Sequence, residues 1–443
     1  MFVYFERRNK LKGEVVMSNS GIKDIKNSKT MREKNLRNFA LYGIFLTISM
    51  NLFNPFVGKY LYRLGGTDNH ITLYKSLPGI IAVITTLPGL FLINKSKNKK
   101  KMMMGFIFAS RFMVVLMAAI PFLPKEVQPI SLVLIITLRY LPESIGVTAV
   151  QSFTGDVFSS KDRATAISSK NRYSVIAQII VSVVMLFILK RIPDDGDTMM
   201  LLYQVLFCIS FGIAIFEIIS FSKLKELDNN EELKNKKEID NHKTTNIKYF
   251  IKTYLKLNKE NRDFYVFALC SLIFHFGWQM GWPLFEIYQL KFLGATEKWL
   301  IIFGVISGVV MFFGYKFWNK QIHIHGNNRI IAIATCGMAA TPILFALSPN
   351  LYVLAGANIV TGLFTSATVT VILSTMLEAA PEENRLIYIG IHATLTSITL
   401  AIAPHVGNFF YHRFSIYIAL FICAGFRLLG SVSFFFRNKN ISN

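Results

Sequence analysis

Apolar residues along this 443-residue chain come in stretches of twenty or more, not at the alternating spacing of a half-buried strand or the periodic spacing of a surface helix. About 20 consecutive apolar residues are what an α-helix needs to cross the hydrocarbon of a bilayer. Twelve such segments are readable, at 38–62, 71–94, 102–123, 129–155, 164–190, 198–222, 264–290, 298–318, 328–347, 350–377, 385–411 and 414–436. Six precede a polar stretch at 223–263 and six follow it. The pattern predicts an all-α polytopic membrane protein, with twelve transmembrane helices in two pseudo-symmetric six-helix bundles at 38–222 and 264–437. A basic tail at 1–37, a linker at 223–263 and a short tail at 438–443 complete the chain. Residues 1–35 read as disordered, and the loop at 319–328 as a turn carrying His323 and His325.

The two halves also repeat a charge motif. Asp156 to Arg163 follows one apolar segment and opens the next, and Glu378 to Arg385 does the same 222 residues later with acid and arginine at equal spacing. Gly89 is followed five residues later by Asn94-Lys95, and Gly314 five residues later by Asn319-Lys320. Two related halves with charged loops at matching places are the sequence form of a transporter that rocks one half against the other.

Charge sets the orientation. With both termini cytoplasmic, the cytoplasmic segments hold 34 lysines and arginines and the outer loops 7, which is the bias expected of cytoplasmic loops. The net charge of +22 is then mainly a topology signal and an attraction to anionic lipid. Nucleic-acid binding would require the basic residues on one folded domain, which this pattern does not contain. The four cysteines all fall inside spans, so neither a disulfide framework nor a metal site is expected. The segment 223–246, mixed in charge and poor in aromatics, reads as a flexible linker, and 247–257 as an amphipathic helix on the membrane surface.

The acid-and-arginine repeats, lying between spans four and five and between spans ten and eleven, resemble loops of the major facilitator superfamily. The resemblance covers about 38 to 437. It implies that Asp156, Arg163, Glu378 and Arg385 form a cytoplasmic gate that pairs across the helix ends in the outward-facing state. The alternative reading is of helix-end charges that offset one another at the dipole. The loop between spans two and three departs from the family pattern. Asn94 stands where the family has an aspartate one position earlier, and a neutral amide cannot form that ion pair.

Ionisable and amide residues at membrane depth cost about 2.5–3.5 kcal/mol each for charges on insertion scales, so their placement points to a working site. At roughly 100° per residue, His275, Gln279, Trp282, Glu286 and Gln289 share one face of span seven. Thr47, Asn51, Asn54 and Gly58 mark span one; Arg139, Glu143 and Gly146 mark span four; Asn358, Gly362 and Thr365 mark span ten. The resemblance implies that these four spans line a central cavity. Asn51, Asn54, Arg139, Trp278, Gln279, Trp282 and Asn358 are the substrate-binding candidates, and Glu143, His275 and Glu286 the proton-coupling candidates. Arg111 and Arg427 need a partner from another helix or an anionic ligand, while Glu217 and Arg172 read as snorkelling charges and His392 and His405 as packing residues.

The sequence lacks a His-Glu-x-x-His motif and a glycine-rich phosphate loop, so neither an enzyme nor ATP-driven transport is expected, and no cofactor. The expected protein is a monomeric secondary active transporter of a small solute in the plasma membrane, coupled to protons. Efflux of amphipathic drugs and a transporter-like sensor are the alternatives.

Overall fold

The computed structural model describes residues 19–96, 98–227, 261–381 and 385–441. Among them there is no strand, and the helices run nearly end to end. The first is α1 (Asn19–Asn51), continued through a 3-10 turn at Asn54–Phe56 into α2 (Val57–Arg63). Then follow α3 (Asp68–Lys95), α4 (Lys99–Ala118), α5 (Gln128–Val157), α6 (Ser160–Arg191) and α7 (Gly196–Ser222). After the linker come α8 (Arg262–Ile287), α9 (Glu297–Ala346), α10 (Leu351–Ala379), α11 (Arg385–Arg413) and α12 (Ile416–Ile441). Ten helices among the described residues are long and apolar enough to cross a membrane. The linker readings from 228 to 260 and the tail before 19 lie outside the described residues.

Helices are what a bilayer permits, because every backbone group must be satisfied inside the segment. Several begin on a side-chain cap: Ser159 accepts from the Asp162 amide at 3.3 Å, Asp195 from Thr198 at 2.8 Å, Asn261 from Phe264 at 3.0 Å, and Asn350 from Val353 at 3.0 Å. Pro55, which has no amide hydrogen to continue a helix, sits at the break between α1 and α2.

Three expectations change. The chain is helical from Asn19, so a disordered tail up to residue 35 is not what forms. The connection expected at 319–328 shrinks to a break within helix on both sides. A single residue, Gly326, leaves helical geometry at φ 76° and ψ 160°, which favours glycine, and His323 and His325 lie on the helix before it. Glu217 does not snorkel. It is fully buried and bonded to Arg111.

In the N-terminal half α1 packs on α6 and α7, α5 on α3 and α4, and α4 on α7. In the C-terminal half α8 packs on α11 and α12, and α9 on α10 and α12. The halves meet where α3 lies along α11 and α6 along α9. The largest buried apolar cluster includes Tyr60, Tyr203 and Phe207 from the first half and Leu284, Ile287 and Tyr288 from the second.

Candidate functional site

Polar contacts between the halves gather at the end of the molecule that carries the α2–α3 turn, here the closed end. Asp68, in the first turn of α3, accepts from Lys291 at 2.7 Å and Tyr411 at 2.8 Å across the interface, and from Tyr62 at 2.7 Å within its own half. Burial alone would raise the Asp68 carboxyl, but these three donors hold it below the usual carboxylate range. Glu286 of α8 reaches the other way. It accepts from Tyr74, pairs with Lys75 at 2.8 Å, and lies against Gly58 so closely that a methyl group there would overlap its carboxylate. Arg63 donates to Glu297 at 2.9 Å and to Asp194 at 2.7 Å, and Tyr203 also donates to Glu297. Asn408 donates to Asn69 at 2.8 Å, and Ser76 meets His405 at 2.9 Å. Lys291 lies in a π-helical turn, Tyr288–Phe292, that extends α8.

Below this end is a cavity of about 360 Å³. α1 contributes Tyr42, Thr47 and Asn51, α4 Ser110 and Arg111, α5 Pro142, Glu143 and Gly146, and α6 Gln178. Arg111 and Glu143 of this wall join Arg139 and Glu217 behind it in a cluster of four charges. Arg111 donates to both oxygens of Glu217, at 3.0 and 3.2 Å, and to Glu143 at 3.4 Å. Arg139 meets Glu143 one helical turn away as a charge contact without hydrogen-bond alignment, and its Nε has no partner although the residue is 4% exposed. Its guanidinium stacks over Phe53 and Tyr140 at 5.3 and 5.2 Å.

The candidates in the C-terminal half are arranged differently. Gln279 is buried against α11, donating to the Thr396 carbonyl at 3.1 Å and accepting from Thr399 at 2.6 Å. His275 Nδ1 lies 2.8 Å from the Ser271 carbonyl, and the Ser271 hydroxyl is 2.8 Å from His392, so the two imidazoles share one serine. Trp278 packs on His275, and Trp282 is exposed. Asn358 is buried, donating to Leu354 at 2.8 Å and accepting from Ser307 at 3.3 Å. In the N-terminal half Asn51 donates to Thr47 at 2.8 Å and faces the cavity, whereas Asn54 is exposed and its nearest polar partner is Met50 sulfur. Arg427 is fully buried and donates to three carbonyls, Gly277, Met338 and Trp278, while stacking on Phe285. The partners expected from other helices are thus backbone carbonyls.

At the opposite end two described contacts of charged side chains lie within one half each. Arg32 meets Asp162 at 2.6 Å, and Glu378 accepts from Asn327 at 2.8 Å. Arg163 lies over Gly155, and the Asp156 carbonyl accepts from the Leu227 amide at 2.9 Å. Arg385 opens α11, and its side chain is outside the described residues. Sequence reasoning passed over Asp68, Arg63, Lys291 and Glu297, which fall in loops between spans, and Lys75, which falls inside span two. Only the repeated opposition of acids and bases at span ends could have marked them.

Residues 39–320 and 267–441 match the family profile of the Major Facilitator Superfamily. The fold is similar to that of a nucleoside transporter, NupG, in a variant form (TM-score 0.68, 14% identity, 91% of this chain and 99% of that one). It is also similar to a bacterial homolog of the human lysosomal transporter Spinster in an inward-facing, unoccupied conformation (0.65, 10%, 92% and 97%). The E. coli fucose:proton symporter FucP is a third (0.60, 14%, 91% and 98%). No curated protein sequence matches the chain. A helical membrane chain, matched to that profile over both of its halves and shaped like these carriers, is a transporter and not an enzyme: it belongs to the major facilitator superfamily.

Proposed function

We infer that the protein is a secondary active transporter of a small solute, working by alternating access and coupled to protons, and that it stands here in its inward-facing state. The observation that carries this reading is the sidedness of the polar contacts between the halves. They lock the end holding Asp68, Glu286 and Glu297, while at the other end the described pairs Arg32–Asp162 and Asn327–Glu378 each lie within one half. A lysine and arginine count that favours cytoplasmic placement of the open end makes the locked end extracellular and puts both termini in the cytoplasm of a plasma-membrane protein.

Twelve spans in two bundles fit the same reading. At about 1.5 Å per residue the 50 residues of α9 would extend about 75 Å, more than twice a hydrocarbon core of about 30 Å, so its break at Gly326 separates spans eight and nine. The pairing scheme repeats as well, since α1 with α6 and α7 corresponds to α8 with α11 and α12, and α4 with α5 and α7 to the second part of α9 with α10 and α12. Glu143 is the first coupling candidate, because it borders the cavity. Glu286 serves the outer lock, and its protonation would loosen the closed end. The similarity of the fold to a fucose:proton symporter, FucP, is in keeping with this assignment.

Proteoliposome counterflow tests the function. A pH-gradient-driven accumulation that collapses with an uncoupler, and exchange that survives it, are expected. Binding of a solute with neither exchange nor accumulation would make the protein a sensor.

A further inference from the structure

We propose that the solute is a small organic monoanion, a carboxylate, which binds at Arg139 only together with a proton on Glu143. This rests on the transporter reading and names its substrate class.

The argument is one of charge balance. Arg111, Arg139, Glu143 and Glu217 place two guanidiniums and two carboxylates in the interior of the N-terminal half. Arginine keeps its charge at any physiological pH, and Glu217 is fully buried in a two-point bond with Arg111, away from the cavity lining. The adjustable member is Glu143, which borders the cavity beside Ser110 at 3.4 Å. Arg139 depends on it, with Nε unpartnered and no described acid but Glu143 at its guanidinium.

Empty, the cluster sums to zero. A proton alone leaves one surplus positive charge, and an anion alone leaves one surplus negative charge. An unbalanced charge in a low-dielectric interior is costly, so each half-loaded state is disfavoured. With proton and anion together the sum is again zero, because the ligand carboxylate replaces Glu143 on Arg139. Each ligand therefore raises the affinity for the other. A cation drawn to Glu143 would strip both arginines of it. A neutral solute would leave the cluster as it is and gain nothing from Arg139. The proton passes from solvent to a Glu143 oxygen and is released from that oxygen; no covalent bond of the solute changes.

Of the other groups that face Glu143, Arg111 also lines the cavity, but its guanidinium is committed to Glu217 by two bonds, which leaves Arg139, directly behind Glu143, as the cation without a second acid. From α4 the facing groups are Ser110 and Arg111, from α7 Glu217 through Arg111, from α1 Tyr42 and Asn51, and from α3 the Thr85–Ser144 contact at 2.8 Å. From α6 it is Gln178, while Lys170 of the same helix is directed to Phe39, its ammonium 5.5 Å from the ring.

The test uses the full chain in detergent with lactate, small beside the cavity, and its neutral amide lactamide as control, reading melting temperature and apparent affinity. In the native protein lactate should stabilise at acidic pH and not at alkaline pH, with affinity rising up to about tenfold per unit fall in pH for one linked proton. In Glu143→Gln, which fixes the neutral form, lactate should stabilise at every pH, and adding Arg139→Gln should remove the effect. Lactamide should do nothing throughout. Equal effects of lactate and lactamide, lactate stabilisation independent of pH in the native protein, or no lactate effect in a folded Glu143→Gln protein would each overturn the proposal. If that variant fails to fold, the native pH series decides alone. None of these failures touches the transporter reading, which thiol labelling of the two ends tests without any solute.

Discussion

At the scale of the residue, Asp68 shows how one side chain can hold two halves together. Its carboxyl is held below the usual range by Lys291, Tyr62 and Tyr411, against the opposing effect of burial. A depressed carboxyl contributes to closure at pH above its unpaired range near 4, and that contribution disappears as pH falls through the depressed value. Closure should therefore be level from neutral pH down to about 5 and weaken below about 4. Because Lys291 is half exposed, the pair is worth about 1 kcal/mol, or about fivefold in the population. Asp68→Asn should raise thiol labelling of a cysteine placed at Asn69 by about that factor, and Asp68→Lys combined with Lys291→Asp should restore it. Unchanged labelling in the single variant would show the contact to be incidental. Glu286 carries the opposite polarity, acid on α8 and base on α3. Its replacement by Gln should loosen the lock in the same way, raising labelling at Asn69 while proton-driven accumulation persists through Glu143, and unchanged labelling would remove Glu286 from the lock.

At the scale of the element, closure depends on backbone approach as much as on charge. A Cβ at Gly79 would lie 2.6 Å from the Ala401 amide nitrogen and 2.7 Å from the Ser397 carbonyl oxygen, so α3 and α11 meet there with no side chain able to yield. Gly79→Leu should wedge this contact and raise labelling at Asn69 by about tenfold or more, whereas Gly356→Ala on α10, with open space around it, should change nothing. The helices themselves were legible in the sequence because a membrane span is written in composition. The break at Pro55 and the helical continuation through His323 and His325 were harder. A polar stretch between two apolar ones reads as a loop, and only the conformation of Gly326 tells a kinked helix from a turn. The stripe on α8 was legible as a stripe, but not its destinations. Periodicity places Gln279 and Glu286 on one face, and only packing shows that the first serves α11 and the second α3. The pairing of Arg111 with Glu217, 106 residues away, has no local signature.

At the scale of the whole molecule, the proposal of two bundles that rock about a central cavity makes a demand on the linker. The contacts that join the halves are between membrane helices, α3 with α11 and α6 with α9, together with the ion pairs of the closed end. Residues 223–246 are mixed in charge and poor in apolar side chains, so they have little to contribute to a packed interface. Their task reduces to spanning the open ends and keeping the two halves at high effective concentration. A chain divided near Asn230 and expressed as two pieces should then assemble in the membrane, copurify and transport, with lower yield than the intact chain and similar coupling. Asp68→Lys should weaken copurification of the pieces, and Lys291→Asp in the partner piece should recover it. Pieces that insert stably yet neither copurify nor transport would show that the linker itself organises the halves, and would remove the rocking of two self-sufficient bundles as the basis of transport.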